Sequence, residues 1–175
     1  MVRLRQPGLL LGEWACLGAL GGGRLHGFAV ARRLASDGDL GRVWTLSRPL
    51  TYRALNQLAE MSMIKAVGEE PGEAGPNRTL LGLTPKGRGA LKTWLGQPVG
   101  HPRDVRGELL LKLVVADLMG VDRSVLVQRQ LEVFETQQGD RRTELAEGPG
   151  DPVLLWRVEF AGAAVRFLHA LRDEH

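Results

Sequence analysis

The hydrophobic period of this chain changes twice within its first 95 residues, and few small folds accommodate that order. Leu9, Leu10, Cys16, Leu17 and Leu20 mark a first helix, which Gly21-Gly22-Gly23 ends. His26 to Ala35 reads as a second helix, with Arg32-Arg33 on its polar side. A short extended piece, Val43–Leu46, follows. Ser47 then stands as N-cap and Pro49 lies in the first turn of a third helix running to about Met61. From Ile64 the pattern alternates, breaks at the turn cluster Glu70-Pro71-Gly72-Glu73-Ala74-Gly75-Pro76-Asn77, and resumes over Arg78–Leu83, the signature of a hairpin with a long tip. Thr84-Pro85 opens a further helix with Leu91, Trp94 and Leu95 on its apolar side. Three helices, a two-stranded hairpin and a helix in that order form a winged helix-turn-helix.

Beyond Gln97-Pro98-Val99-Gly100-His101-Pro102 the pattern is helical throughout. The expected fold is therefore mainly α: a winged-helix domain over residues 1–97 and a C-terminal helical dimerisation domain over 98–175. Val105–Met119 is apolar on more than one face, so it must be buried on more than one face. A helix carrying Val127, Leu131 and Phe134 follows and breaks at Gly148-Pro149-Gly150. The last helix aligns Val153, Trp156, Phe160, Ala163, Phe167 and Leu171. So much apolar surface on three helices points to self-association, with Leu109, Leu113, Val114, Trp156, Phe160 and Phe167 at the interface of a symmetric dimer.

Charge is distributed unevenly. The chain has 175 residues and a net charge of +3, but residues 1–106 hold 15 Lys/Arg against 8 Asp/Glu, whereas residues 107–175 hold 8 against 12. A basic front half suits a polyanionic partner. The third helix supplies donors of the right type for a major groove: Arg53 for a guanine edge, Asn56 or Gln57 for an adenine, and Arg48 and Tyr52 nearer the phosphates. Asn77 and Arg78 lie at the base of the hairpin tip, within reach of an adjoining backbone. The same residues could instead solvate an exposed face of a protein-interaction or scaffold module that binds no specific DNA.

Other chemistries find little purchase. A single cysteine, Cys16, permits neither an internal disulfide nor a multi-thiolate zinc site, and it reads as a small core residue. His26, His101, His169 and His175 are scattered, with no ligand spacing for a metal. Gly82 to Gly89 imitates the glycine spacing of a P-loop, but Arg88-Gly89 stands where lysine and a hydroxyl are required. No catalytic residue and no cofactor are expected. Arg3 and Arg5 before the apolar run outline a secretion signal, but Glu13 interrupts that run; a cytoplasmic protein without membrane spans is expected. Trp14, Trp94 and Trp156 are candidates to line a pocket for a small-molecule effector.

Several stretches, taken together, resemble the PadR family of transcriptional regulators over essentially the whole chain. Leu25-His26-Gly27-Phe28-Ala29-Val30 is similar to the family's H-G-Y-x-I segment, and Tyr52-Arg53-Ala54-Leu55-Asn56-Gln57-Leu58 to its Y-x-A-L-x-x-L. Val43–Ser47, Gly75-Pro76-Asn77-Arg78 in the wing and Leu83-Thr84-Pro85-Lys86-Gly87 follow at matching spacings, and Trp94-Leu95 closes the helix. The resemblance implies a homodimeric repressor binding a pseudo-palindromic double-stranded DNA operator, with Tyr52 and its neighbours on DNA and Arg78 in the wing. Three positions depart from the family pattern: Arg48-Pro49 replaces Pro-Gly, Ser62 replaces a glycine, and Leu80-Leu81 replaces aromatics.

Overall fold

The computed structural model describes residues 8–72 and 75–173. Arg3, Arg5, Glu73, Ala74 and His175 lie outside the described residues. The chain divides into two compact units, one comprising residues up to Leu95 together with Leu110–Val121, the other Gly96–Leu109 with residues from Asp122 onward.

The first unit is a winged helix. Its elements are α1 (Leu11–Gly21), β1 (Leu25–His26), α2 (Gly27–Arg33), α3 (Arg48–Glu60), β2 (Ile64–Glu70), β3 (Arg78–Leu83), α4 (Pro85–Leu95) and α5 (Leu110–Met119). The strands form an antiparallel sheet in the order β1-β3-β2, with Leu25 opposite Leu81 and Ile64 opposite Leu83. Two residues are too few to show a period, so β1 is invisible to pattern reading; His26 is its second residue and also the N-cap of α2. The Val43–Leu46 piece expected to be extended forms no strand: Val43 ends a run of turns, Trp44 is a bend, and Thr45-Leu46 lead irregularly into α3. Thr84 caps α4 as expected, its Oγ1 accepting from the Gly87 amide at 3.1 Å. At the start of α1, Glu13 is buried because its carboxylate reaches back to accept from the Leu10 amide at 2.6 Å.

α5 corrects two expectations. It belongs to the winged-helix unit rather than to a domain beginning at residue 98, because its apolar faces are covered by α1 and α4. Gly18 has no side chain where Val115 arrives, and a Cβ there would overlap the valine, so the two helices touch backbone to side chain. Leu113 is buried at 4% exposure, and Val114 is half-buried against the core that Leu111 and Val115 join. Leu113 thus offers almost no surface, whereas Val114 keeps part of its side chain exposed.

Trp14 and Trp94 stack in this core with ring centroids 4.9 Å apart and planes 3° apart. The Lys112 ammonium lies 5.1 Å over the Trp94 ring, a buried cation on an aromatic face. Cys16 is buried, and its thiol is pushed up to about 12 by desolvation and then by the nearby Glu13 carboxylate. At neutral pH it is an inert thiol, which agrees with a core role.

Arg33 ties three segments together. Its Nη1 donates to the Ala19 carbonyl at 3.2 Å, and its Nη2 to Asp39 Oδ2 at 2.5 Å. The hydrogen bond from Arg33 holds the Asp39 carboxyl below its ordinary value. A lowered folded-state pKa means this contribution is complete above about pH 4 and is lost as pH falls through the folded value. Arg33→Gln is therefore expected to lower the Tm at pH 7 and to change it less near pH 3, measurable by calorimetry.

Ser62 is the one described residue other than glycine with a left-handed backbone, at φ 57°. It sits where α3 turns into β2, and its carbonyl accepts from Thr84 Oγ1 at 2.8 Å. A side chain in this conformation costs on the order of 1 kcal/mol, partly offset by the lower unfolded-state entropy of a non-glycine residue. Ser62→Gly is thus expected to raise unfolding stability by about 0.5 kcal/mol, read from a higher urea midpoint at unchanged slope.

The second unit is a helical hairpin of α6 (Ser124–Glu147) and α7 (Pro152–Asp173), preceded by a 3-10 turn at Pro102–Asp104 and a π-helical turn at Val105–Leu109. Leu126, Val127, Leu131, Phe134, Ala161, Val165 and Leu168 fill its centre. Leu109 is fully buried here, which removes it too from the expected dimer face. The boundary segment around Val99-Gly100 is strapped to α6. Buried Gln130 both accepts from the Val99 amide at 2.7 Å and donates to the Val99 carbonyl at 3.0 Å, and Gln137 donates to Gly100 at 2.7 Å. Trp156 is 66% exposed and stacks on Phe160 at 5.6 Å, so this end of α7 presents aromatic surface to solvent.

Candidate nucleic-acid interface

α3 packs through Thr51, Ala54, Leu55 and Leu58, leaving Arg48, Tyr52, Arg53 and Asn56 exposed and Gln57 half-buried. The helix amide and hydroxyl groups are arranged to permit this. Thr51 turns its hydroxyl onto the Ser47 carbonyl at 3.1 Å and is fully buried without a stranded polar atom.

The exposed residues do not form one stripe. They border two clefts on opposite flanks of the helix. Tyr52 and Asn56 line the first, of 480 Å³, together with His26, Phe28 and Arg78. Arg53 and Gln57 line the second, of 500 Å³, together with Leu10, Trp44, Leu46 and Leu50. The first flank is tightly organised. Gly27 lets Tyr52 lie against the start of α2, since a Cβ at that glycine would sit 2.8 Å from Tyr52 Cε1. The His26 and Phe28 rings stack at 6.2 Å, and the Arg48 guanidinium lies 4.8 Å from the Phe28 ring centre. The Arg48-Pro49 departure from the family pattern thus places a cation on the aromatic ledge beside α3.

His26 connects this flank to the wing. Its Nδ1 accepts from the Ala29 amide at 3.1 Å, so in the neutral ring Nε2 carries the proton and points at Glu70 Oε1, 3.2 Å away. Arg78 Nη1 lies 3.3 Å from the same nitrogen, and Arg78 stands directly across the ladder from Glu70. With Nε2–H turned to Glu70, the Arg78 guanidinium and the imidazole N–H are two donors side by side, so Arg78 is a half-buried cation next to the ring and not its hydrogen-bond partner in the neutral form. Asn77 is exposed, but its Nδ2 donates to Glu69 Oε2 at 3.2 Å. The two wing carboxylates, Glu69 and Glu70, each face a donor, which reduces the repulsion they would offer to an anionic partner.

Of the expected contact residues, Arg48, Tyr52, Asn56 and Arg78 are brought together, Arg53 and Gln57 occupy the opposite flank, and Asn77 lies along the wing. Arg42 is exposed and lines neither cleft. Pattern reading missed His26, Phe28 and Trp44. Phe28, in the first turn of α2, is 37% exposed, with His26 on one side and Arg48 over its ring. Of the three tryptophans, Trp14 and Trp94 close on each other in the core of the first unit, and Trp156 belongs to the second. Among the described residues, no three His, Cys, Asp or Glu side chains gather as a metal site, and no helix is long and apolar enough to cross a membrane.

No family model matches the chain, and no curated protein does. Solved structures do resemble it. Bacillus subtilis PadR in complex with operator DNA is 21% identical, with 93% of this chain and 97% of that one covered at a TM-score of 0.47. The same protein in complex with p-coumaric acid is 20% identical over 94% of each chain, TM-score 0.44. The Vibrio cholerae virulence activator AphA is 19% identical, with 93% and 96% covered, TM-score 0.43.

Proposed function

We propose that this chain is a DNA-binding transcriptional regulator of the PadR type, which inserts α3 into a major groove and lays the β2–β3 wing along the adjoining backbone. The observation that carries the reading is the exposed face of α3: Tyr52 and Asn56 stand free of the core between a basic-aromatic ledge and the wing, and Arg53 is exposed on the adjoining flank. Arg53 and Asn56 suit guanine and adenine edges, and Arg48 and Tyr52 suit phosphates and sugars at the groove margin. Repression is the proposed outcome of occupying an operator.

The protein acts in this reading as a homodimer, joined through the α7 face that carries Trp156, Phe160 and Phe167; Leu109 and Leu113 take no part. Trp156→Asp is expected to convert the dimer to a folded monomer, by light scattering with an unchanged circular dichroism spectrum. Monomeric wild-type protein would remove the proposal. Random-sequence DNA selection tests the main reading: a two-part motif with half-sites about 10 bp apart, or a multiple, is expected. No enrichment over input would refute it.

One observation favours a second reading, a protein-interaction module. The Arg53 flank of α3 is bordered by apolar surface, with Leu10 73% and Leu50 50% exposed. In that case binding to the partner would be insensitive to salt, whereas DNA binding falls steeply with it.

A further inference from the structure

The face of the sheet turned away from its core-facing side carries a second concentration of positive charge. Leu25 pairs with Leu81, and Lys65 with Gly82, so the alternation of strands places Arg24, Gly82 and Lys65 in one row across β1, β3 and β2. Arg24 and Lys65 are both exposed. The middle position has no side chain, which leaves a depression between the two cations, walled on one side by Val67, whose methyls come within 3.1 Å of where a Gly82 Cβ would be. Arg88, from α4, closes the same cleft, anchored by a 3.3 Å bond from its Nη2 to the Leu83 carbonyl. The cleft measures 580 Å³, within the range of small-molecule sites, and no carboxylate side chain lines it.

Three cations from three segments of chain around one concavity, with no acid to neutralise them, repel one another unless an anion is present. Neither Arg24 nor Lys65 makes an ion pair among the described residues, and only the guanidinium of Arg88 has an anchoring acceptor. The two clefts beside α3 share none of these three residues, so the groove reader and this concavity are separate features. We infer that the cleft between Arg24, Lys65 and Arg88 binds a small phosphorylated compound carrying at least two adjacent phosphates, such as a nucleoside diphosphate. Two linked phosphates can meet the Arg24 and Lys65 ends of the row together, whereas a single phosphate meets one end at a time. Guanidinium groups give the bidentate contacts phosphate prefers, and the Lys65 ammonium adds a point charge.

The test is calorimetric titration of the full chain with inorganic pyrophosphate, with ADP and with orthophosphate. Saturable binding at one site per chain is expected for pyrophosphate and ADP, half-maximal on the order of 1 mM or below, and weaker binding for orthophosphate. Arg24→Gln and Lys65→Gln should each weaken pyrophosphate about tenfold. Arg53→Gln, on the far flank of α3, should leave it unchanged. Thermal melts of each variant establish that it is folded. Absence of saturable heat with pyrophosphate, or equal weakening by Arg53→Gln, would overturn the site as diffuse surface charge. A duplex arm separates the other phosphate source: if Arg24→Gln and Lys65→Gln weaken a random 20 bp duplex as much as they weaken pyrophosphate, the cleft is a DNA contact and the small-molecule site is refuted.

Discussion

Trp94→Ala is expected to destabilise the protein by about 3–5 kcal/mol, the cost of deleting a large aromatic from a packed core and leaving a cavity. The size of the effect follows from what the ring touches. It is 1% exposed and lies flat against Trp14, and it supports the buried Lys112 ammonium at 5.1 Å. Removing it takes away the stacking partner of one side chain and the aromatic face that helps a buried cation tolerate its loss of water. Against a total of about 5–15 kcal/mol for a domain of this size, such a loss leaves little reserve. Urea unfolding followed by far-ultraviolet circular dichroism measures it. Trp94→Phe should recover more than half of the loss, since it restores an aromatic surface of smaller area. Trp156→Ala serves as the exposed counterpart and should change stability by less than about 0.5 kcal/mol in a monomeric variant. A loss below 1 kcal/mol for Trp94→Ala would mean that the stacked pair is not the centre of this core.

The contrast between these two tryptophans shows where sequence reading works and where it stops. Period and punctuation placed α1, α3, the hairpin and α4 within a few residues, because Ser47, Pro49, Thr84-Pro85 and the turn cluster after Glu70 act locally. The helical character of Val105–Met119 was legible for the same reason, and so was its need for burial. What covers it was not, because a helix apolar all round says nothing about its neighbour. The deciding feature is Gly18 on α1, nearly a hundred residues away, which opens a groove for Val115. Once α5 is seated there, Leu111 and Val115 are spent in the core of the first unit.

The candidate interface was legible in kind rather than in arrangement. Arg48, Tyr52, Arg53, Asn56 and Gln57 all lie on the exposed arc of α3 or at its edge. Their division between two flanks depends on what stands beside the helix: Phe28 and His26 on one side, Leu10 and Trp44 on the other. Those neighbours come from α2, from the start of α1 and from the turns after α2, and no spacing along α3 encodes them. Arg78 likewise reads as a free wing cation in the sequence, and only the ladder register opposite Glu70 and the proximity of His26 show that it is half-buried beside α2.

That division shapes the largest functional effect expected. Replacing both Arg48 and Arg53 with Ala should weaken binding to the selected DNA by about 2–4 kcal/mol, on the order of a hundredfold, with the fold intact. The two positions lie on different flanks of α3, Arg48 over Phe28 and Arg53 beside Leu50 and Trp44, so their separate effects should add. They should also differ in kind. Arg48, held over Phe28 at the groove margin, is placed for a phosphate; Arg48→Ala should weaken every duplex alike and reduce the slope of log affinity against log salt by about one. Arg53, midway along the helix, is placed for a base edge, so Arg53→Ala should relax the preference at one position of the motif while leaving most of the salt slope. Arg103→Ala, in the other unit, where the side chain is 78% exposed, should change neither quantity. Fluorescence anisotropy at several salt concentrations, with the selected duplex and a scrambled one, reads both effects. Unchanged affinity in the Arg48/Arg53 double variant would remove α3 as the reading element. A double variant that loses affinity without any change in salt slope or base preference would show that the two arginines support the helix rather than touch DNA, because a merely structural role lowers the population of competent protein without altering how that protein reads its site.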